Sequence, residues 1–363
     1  MKVLLVDAYH TGSHARWSRG WQRHSRHEIR LLTLPGRYWK WRMFGAAPEL
    51  ARQFRQLDFQ PDALVVTDML DLPTFLALSG LRVPTTIYFH ENQITYPWSA
   101  GDGADARRER NRQYGFINFT SCLAANAVWF NSAYHRDAFL GELPRFLRAF
   151  PDFRMLNGVA EIEAKAQVQH LGLELAPFFQ ERPPRPPGPP VILWNHRHEY
   201  DKNPDQFFAD LRWLRDVERL DFRLVVLGES FGKSPEVFHR ARAEFANQVL
   251  HWGYAPDRNA YVRWLLRSDL LHVTSNQDFF GGSVVEAMAA GVVPVLPHRL
   301  AYPEHLPTNK LDDHLYGKTE GGRELLAYWV RNFADENTET IREGVRRYDW
   351  TVRAPLYDAA LET

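Results

Sequence analysis

The sequence contains a single cysteine, Cys122, among its 363 residues. One thiol excludes an internal disulfide framework and any multi-cysteine zinc or iron–sulfur site, and it favours a reducing compartment. Long apolar runs are missing as well. The N-terminal run 2–6 meets Asp7 too soon for a secretory signal, and no stretch approaches the length that crosses a bilayer. We therefore expect a cytoplasmic protein with no stable membrane association.

Net charge is absent from the whole chain but not from its halves. The 44 basic residues balance the 44 acidic ones. Residues 1–160 carry 20 basic and 14 acidic residues, whereas the remainder carries 24 and 30. The first half could therefore face an anionic partner. The length exceeds that of one ordinary core, so we expect two domains.

Two common nucleotide-binding signatures are also missing. The loop after the first strand, residues 7–14, contains one glycine, Gly12, and no G-x-G-x-x-G pattern. Gly12 can still bring backbone close to a ligand at the carboxyl end of that strand. His10 and His14 lie four residues apart, but no third ligand is evident nearby, so we assign no metal to them. No D-x-D triplet occurs anywhere in the sequence.

Apolar runs alternate with helical stretches, which predicts an α/β protein with parallel, helix-covered sheets. The predicted strands are 2–6, 29–34, 61–67, 84–89 and 128–131, then 191–194, 224–227, 251–256, 270–274 and 292–296. The proline run 181–190 cannot lie inside a helix or a central strand, and it predicts a spacer. We expect an N-terminal domain at 1–180, this linker, and a C-terminal domain at 191–340. A further hypothesis is that a last helix, 341–363, packs back on the N-terminal domain.

Residues 278–291, DFFGGSVVEAMAAG, predict a loop that turns into a helix. Gly281 and Gly282 would let the backbone approach a ligand, and the N–H groups of the first helical turn could bind phosphate oxygens. Ser283 and Glu286 also form an S-x-x-E capping box, in which the glutamate only closes its own helix end. These residues alone leave both interpretations open.

Polar residues cluster after the strand at 84–89, in the segment HENQITYP. A strand that ends in a polar tip is typical of a catalytic loop. His90 is the candidate there, and the alternative is a histidine that caps its own loop.

Cations alternate with aromatic rings in the segment PGRYWKWRMF, residues 35–44. Such a pattern suits phosphate contact and base stacking in single-stranded or looped RNA. The alternative is a solvated helix face followed by an aromatic lid. The residues alone favour this alternative, because runs of charge usually serve only to be solvated.

Several segments together resemble a known family. Arg197 and Lys202 after the first strand of the second domain, with the acid-x7-acid element and its FGG turn, resemble the retaining GT-B glycosyltransferases of the glycogen-synthase-like superfamily. The order VDAYHTGSH, YFHENQITYP, HRHEYDKNPDQFF, LGESF, LHWGYAP and DFFGGSVVEAMAAG is similar, over most of the chain, to the tRNA-queuosine α-mannosyltransferase family. The resemblance implies a GT-B fold, with two Rossmann-like domains facing a cleft. It also implies retaining transfer of mannose from GDP-mannose to the cyclopentenediol of queuosine in the anticodon loop of tRNA-Asp.

The resemblance further implies roles for individual residues. The catalytic set is His90, Arg197, Lys202 and Asp278; the donor set is Gly12, Gly253, Tyr254, Gly281, Gly282, Ser283 and Glu286; and the acceptor set is Arg37, Trp39, Arg42, Glu91, Asn92, Arg107 and Arg108. Arg197 and Lys202 would neutralise the departing diphosphate, together with the start of the glycine-loop helix and, from the other domain, Gly12. Glu286 would hold the ribose, and the backbone at Gly253 would meet the base.

Two of these roles depend on side-chain chemistry. His90 has an intrinsic pKa near neutrality and would donate to a hydroxyl or to the leaving oxygen. Asp278 stands where the superfamily more usually has glutamate, and its carboxylate is one methylene shorter. We expect no divalent metal, because protein groups alone would neutralise the leaving group. Two alternatives are a lipid-linked or polysaccharide acceptor, and a non-catalytic module that binds a nucleotide sugar or RNA.

Overall fold

The computed structural model of the protein describes residues 1–97, 104–229 and 235–362, apart from the side chains of residues 104–111 and 319. The chain divides into two compact units, Met1–Leu173 with Trp350–Thr363, and Glu174–Asp349. Each unit holds a six-stranded sheet in which the strands pair in parallel. This confirms the predicted α/β class.

The first unit begins with six strands and six helices. They are β1 (Lys2–His10), α1 (Gly12–His24), β2 (Glu28–Pro35), α2 (Trp39–Phe54), β3 (Ala63–Thr67), α3 (Leu72–Ser79), β4 (Thr85–Phe89), α4 (Ala104–Ala124), β5 (Ala127–Phe130), α5 (Ala133–Arg148), α6 (Asn157–Ala164) and β6 (Ala166–Val168). Every residue of β3 and β4 is buried, as expected for apolar strands that helices cover on both faces.

The strand order of the first sheet, β2-β1-β3-β4-β5-β6, places a topological switch point between β1 and β3. Ligands of open α/β sheets bind beyond the carboxyl ends of strands at such a point. Asp7 lies near the end of β1, and Thr67 is the last residue of β3. The polar residues at these strand ends therefore lie where a ligand is expected.

The second unit follows the order of a Rossmann domain. Its elements are β7 (Val191–Trp194), α7 (Pro204–Asp216), β8 (Arg223–Leu227), α8 (Glu236–Glu244), β9 (Val249–Gly253), α9 (Arg258–Leu266), β10 (Leu270–His272), α10 (Gly282–Ala289), β11 (Val293–Pro297), α11 (Tyr302–His305), α12 (Leu311–His314), β12 (Leu315–Tyr316), α13 (Thr319–Asn332) and α14 (Glu339–Val345). The order β12-β11-β10-β7-β8-β9 places the switch point between β7 and β10. The loops after these two strands carry the predicted catalytic residues of this unit, Arg197, Lys202 and Asp278, and the second loop leads into α10.

The predicted linker, residues 181–190, lies inside the second unit rather than between the two units. Arg182 donates to the carbonyl of Gly291 over 2.6 Å and also to the carbonyl of Ser268. Arg185 pairs with Asp269 over 3.1 Å. These contacts attach the proline-rich segment to the second unit, and the division falls earlier, after Leu173.

The last helix, α15 (Trp350–Leu361), belongs to the first unit. Trp21 of α1 donates to Asp358 over 2.9 Å, and Trp17 donates to the hydroxyl of Tyr357 over 3.2 Å. The predicted helix 341–363 is not continuous, because the chain turns to an extended conformation at Asp349. Residues 341–349 stay with the second unit. In the described ranges, no helix has both the length and the apolar character that a bilayer span requires.

Candidate active site

The loop after β7 leads to a buried lysine. Lys202 ends a 3₁₀ turn, Tyr200–Lys202, and its Nζ donates to the carbonyl of Gln277 over 2.6 Å. The same Nζ lies 3.3 Å from Asp201 Oδ2 and 3.3 Å from Asp278 Oδ2. A buried cation is stable only when it is paired and hydrogen-bonded, and these three contacts meet that need. The structure thus brings together two of the predicted catalytic residues, Lys202 and Asp278.

Asp278 is held as a carboxylate. Its Oδ2 accepts a hydrogen bond from the hydroxyl of Tyr302 over 2.9 Å. Burial would raise the pKa of Asp278, but the positive charge of Lys202, the neighbouring His196 and the Tyr302 hydrogen bond lower it below its ordinary value. The group is therefore ionised at neutral pH, with its orientation fixed from two sides.

Helix α10 begins at the predicted glycine pair. Gly281 is its N-cap residue with φ of 84°, a left-handed conformation that favours glycine. Ser283 lies inside the first turn, where its carbonyl accepts from Asn195 Nδ2 over 2.7 Å and its hydroxyl lies 3.2 Å from His196 Nδ1. These contacts attach the β7 loop to the first turn of α10. The first N–H groups of a helix have no intrahelical partners, so this turn is suited to binding an anion.

Glu286 does not close its own helix. The N-cap Gly281 has no side-chain cap, and the carboxylate of Glu286 lies with residues from the start of α9. Arg258 Nη2 donates to Oε1 over 2.7 Å, and the hydroxyl of Tyr261 donates to Oε2 over 2.8 Å. The capping-box interpretation is therefore wrong. Contact with a ribose remains a prediction.

The remaining donor and catalytic residues of the second unit lie nearer the surface. Gly253 ends β9 with φ of 120°, and the next residue, Tyr254, has a side chain that is 71% exposed. Arg197 is half exposed and pairs with Glu199 over 3.1 Å. Their assignments to the base and to the diphosphate stay predictions.

His90 lies at the end of β4, as predicted, and is buried. Its backbone N–H donates to Asp68 Oδ1 over 3.0 Å, and its carbonyl accepts from Asn131 over 2.9 Å. The His90 ring packs on that of His14, with the ring centroids 4.1 Å apart. Burial, and then the charge of His14, hold the pKa of His90 well below its ordinary value. The pKa of His90 is thus lower than the near-neutral value expected from the sequence, and the ring is uncharged at pH 7.

Asn92, in the loop after His90, is buried and shapes its own loop. Its Oδ1 accepts from the backbone N–H groups of Ile94 and Thr95 over 3.0 and 2.8 Å, and its Nδ2 donates to Thr95 Oγ1 over 2.8 Å. Glu91 accepts from Gln93 over 3.1 Å. Contact of either residue with an acceptor stays a prediction.

The predicted acceptor segment forms the start of α2. Arg37 is exposed, whereas Arg42 donates to the carbonyl of Pro35 over 3.2 Å and so fastens the turn before the helix. Trp39 is partly buried against the core. Within this segment the most exposed rings are instead Tyr38, at 74%, and Trp41, at 63%. The side chains of Arg107 and Arg108 lie outside the described residues.

Sequence reasoning missed several residues of these two sites. They are Asp7, His14 and Asp68 in the first unit, and Asn195, His196, Arg258, Tyr261 and Tyr302 in the second. Asp7 carried a usable signal, because a carboxylate directly after an apolar strand marks a sheet edge where ligands bind. The other residues contact partners that are distant in sequence, so no local sequence pattern predicts their place in a site.

Solved structures share this fold across the whole chain. Sucrose-phosphate synthase from Thermosynechococcus elongatus has a TM-score of 0.72 and 12% identity, covering 100% of this chain and 98% of that chain. A UDP-forming α,α-trehalose-phosphate synthase from Burkholderia xenovorans has a TM-score of 0.68 and 14% identity, covering 99% and 98%. Residues 177–306 also match the family model of glycosyl transferases group 1. The fold and this match define a glycosyltransferase of the GT-B class.

The first unit identifies the family within that class. Residues 2–173 match the family model of the tRNA-queuosine alpha-mannosyltransferase N-terminal domain. The tRNA-queuosine alpha-mannosyltransferase of Drosophila melanogaster is 30% identical over 323 residues, which is 85% of this chain and 82% of that protein. The chain belongs to the tRNA-queuosine α-mannosyltransferase family, and it is a hexosyltransferase.

Proposed function

We propose that this enzyme transfers mannose from GDP-mannose to the cyclopentenediol of queuosine in the anticodon loop of tRNA-Asp, with retention of the anomeric configuration. The observation that carries the proposal is the 30% identity to the Drosophila enzyme, which extends over 85% of the chain. In the reaction, the C1–O bond to the diphosphate breaks and a C1–O bond to a queuosine hydroxyl forms, while the hydroxyl proton passes to the departing diphosphate. The cytoplasm is the compartment in which we expect this activity.

The donor diphosphate requires more positive charge than Lys202 supplies by itself. Lys202 lies 3.3 Å from each of two carboxylates, Asp201 and Asp278, so this group of three carries a formal charge of −1. Negative charge that develops on a leaving group is stabilised most effectively by fixed dipoles and cations. The exposed guanidinium of Arg197 and the N–H groups of the first turn of α10 are the groups that can supply them. We assign the leaving-group role chiefly to these, and assign to Lys202 the task of holding Asp278.

Glu286 can bind a ribose while it keeps its protein partners. Each of its carboxylate oxygens accepts one hydrogen bond, from Arg258 or from Tyr261. A carboxylate has about four acceptor sites in all, so each oxygen retains one for a ribose hydroxyl. Arg258 and Tyr261 would then fix the direction in which the remaining sites point.

The acceptor would bind to the basic surface of the first unit. Arg16, Arg19 and Arg23 are exposed along α1, and Arg37 is exposed before α2. Arginine contacts to phosphate position an RNA without reading its sequence. The exposed rings near Arg37 offer a stacking surface for an unpaired base.

Donor preference is tested by titrating GDP, UDP and ADP into the protein, and by comparing their mannosyl and glucosyl forms in transfer to queuosine-containing tRNA. We expect GDP to bind most tightly and GDP-mannose to be used best. Equal use of UDP-glucose would contradict the donor assignment. Pelleting with anionic vesicles, without retention of tRNA, would instead favour a lipid-linked acceptor.

A further inference from the structure

A cluster of titratable side chains surrounds His90, the predicted catalytic histidine, and the proposed function assigns no role to the other members. The other members are Asp7 and His10 from β1, His14 from α1, and Asp68 after β3. They lie at the switch point of the first sheet, where a ligand is expected.

Asp7 is completely buried and ionised. It accepts hydrogen bonds from the backbone N–H of Tyr9 over 3.1 Å, from the hydroxyl of Thr67 over 3.2 Å and from His10 Nδ1 over 2.9 Å. Burial would raise the pKa of Asp7, but His10 and His14 lower it well below its ordinary value. The cluster therefore contains a fixed negative charge.

His14 is the counterpart of that charge. Its Nδ1 lies 3.5 Å from Asp7 Oδ1, and its side chain is 8% exposed. Burial would lower the pKa of His14, but Asp7, with Asp68 and Glu91, raises it to about 9. At neutral pH, His14 is an imidazolium ion.

The face of this imidazolium lies against His90. The ring planes are tilted by 31° with the centroids 4.1 Å apart, and Trp17 meets the edge of His90 with a centroid separation of 4.9 Å. Tyr88 also contacts the ring, at 4.9 Å. His90 Nε2 is buried and has no hydrogen-bond partner among the residues that the structure describes. A buried nitrogen without a hydrogen-bond partner destabilises the folded protein unless a bound ligand supplies that partner.

We propose that His14 is a positioning residue for His90: held by Asp7, it fixes the plane of the His90 ring and keeps that ring uncharged, so that Nε2 meets a sugar hydroxyl. The role of that hydroxyl rests on the proposed function. The mechanism is like-charge repulsion, since a second cation 4.1 Å from the first is strongly disfavoured in a buried site.

Other charged groups act on the same pair. Asp7 from β1, Asp68 after β3, Glu91 after β4 and His135 from α5 each influence His14 or His90. The acids favour protonation, and they act mainly on His14. His135 opposes protonation of His90, in the same sense as His14. Removal of the His14 charge should therefore leave burial and His135 as the groups that keep His90 neutral.

The test is His14→Phe, which keeps an aromatic ring against His90 but removes its charge. The protonation midpoint of the His90 ring, followed by NMR of labelled imidazoles, should rise by about one pH unit or more, in keeping with loss of a close like charge. We expect the acid limb of the kcat profile to move upward with the His90 midpoint, with KM little changed. His24→Phe, the same substitution farther along α1, is the matched control and should leave both readouts unchanged.

A second variant protects the test against misfolding. Asp7→Asn removes the anion that keeps His14 charged. Asp7 itself raises the pKa of His90, but less than the charge of His14 lowers it, so the His90 midpoint should still rise, by less than in His14→Phe. An unchanged midpoint in both variants would overturn the proposal, as would a folded His14→Phe variant whose kcat profile has the same acid limb as that of the wild type. If the wild type transfers no sugar but the His90 midpoint shifts in the two variants, the result would support the His14–His90 pairing and count against the proposed function alone.

Discussion

A methyl group added at Gly12 tests whether this glycine approaches the donor. Gly12 has φ of 51° in the first turn of α1, and a Cβ built there meets no atom within 4 Å. The protein itself therefore has room for Gly12→Ala. The conformational penalty remains, because an L-residue in the left-handed region costs roughly 1–2 kcal/mol.

Gly80 provides a matched control in the same unit. It has φ of 74° at the end of α3, and a Cβ there also meets nothing within 4 Å. Gly12→Ala and Gly80→Ala should therefore lose similar stability, roughly 1–2 kcal/mol. For a unit of this size each kcal/mol lowers Tm by about 2–4 °C. Thermal unfolding thus calibrates the backbone cost in both variants.

Activity should separate the two variants. If the donor phosphates approach the backbone at Gly12, the added methyl group collides with the donor, and kcat/KM should fall tenfold or more, about 1.4 kcal/mol of transition-state stabilisation. Gly80→Ala should retain near-normal kcat/KM below its Tm. The assay is initial-rate release of the nucleotide diphosphate at a temperature at which both variants are folded. Equal kcat/KM in the two variants would refute the assignment of Gly12 to the donor site.

Five further predictions concern charged groups and the need for a metal. Arg197→Ala should lower kcat about 100-fold with little change in Tm, because the side chain is half exposed and acts on the leaving group. Lys202→Met, in contrast, should lower the free energy of unfolding, measured with denaturant, by about 3–5 kcal/mol, because it leaves two buried carboxylates without their cation. Transfer should persist in EDTA, and loss of activity on chelation would contradict metal-free catalysis. The pKa of His14 is about 9 in the folded protein, against an ordinary value of 6.5. Protonated His14 therefore stabilises the folded protein fully below pH 6.5, and this stabilisation is lost as the pH rises through 9. The free energy of unfolding should therefore fall by about 3 kcal/mol over that window, and the fall should be smaller in His14→Phe. Arg37→Glu should weaken tRNA binding and reduce the dependence of the binding constant on salt. Arg240→Glu, at an exposed position on α8, is the control and should do neither. Equal effects of the two changes would mean that Arg37 is only a solvated surface residue.

Local sequence was sufficient for much of the fold. Val191–Trp194 is a strand with the predicted bounds, and helix α7 begins at Pro204, as predicted. Apolar runs between turn residues determine such elements without help from distant parts of the chain. The first strand was predicted too short, because Asp7 reads as the start of a loop. It remains in β1 because Thr67, which is distant in sequence, helps to satisfy its carboxylate inside the protein.

The sites were predictable in outline but not in their partners. The family resemblance predicts Lys202 and Asp278 as catalytic residues, but their contact depends on the packing of the loops after β7 and β10. The pairing of Glu286 with Arg258 likewise depends on how α9 meets α10. The charge state of His90 followed from no local pattern, because it is set by burial and by a histidine on another element. Contacts between residues far apart in sequence thus limited the prediction.

The most direct test of the proposed activity is nucleoside mass spectrometry of tRNA after incubation with the enzyme and GDP-mannose. Two matched tRNA-Asp preparations, one containing queuosine and one lacking it, serve as acceptors. We predict that the queuosine nucleoside gains the mass of one hexose, that GDP is released in equal amount, and that queuosine-free tRNA is unchanged. A hexose on queuosine-free tRNA, or no mass gain on queuosine while GDP-mannose is consumed, would contradict transfer to queuosine.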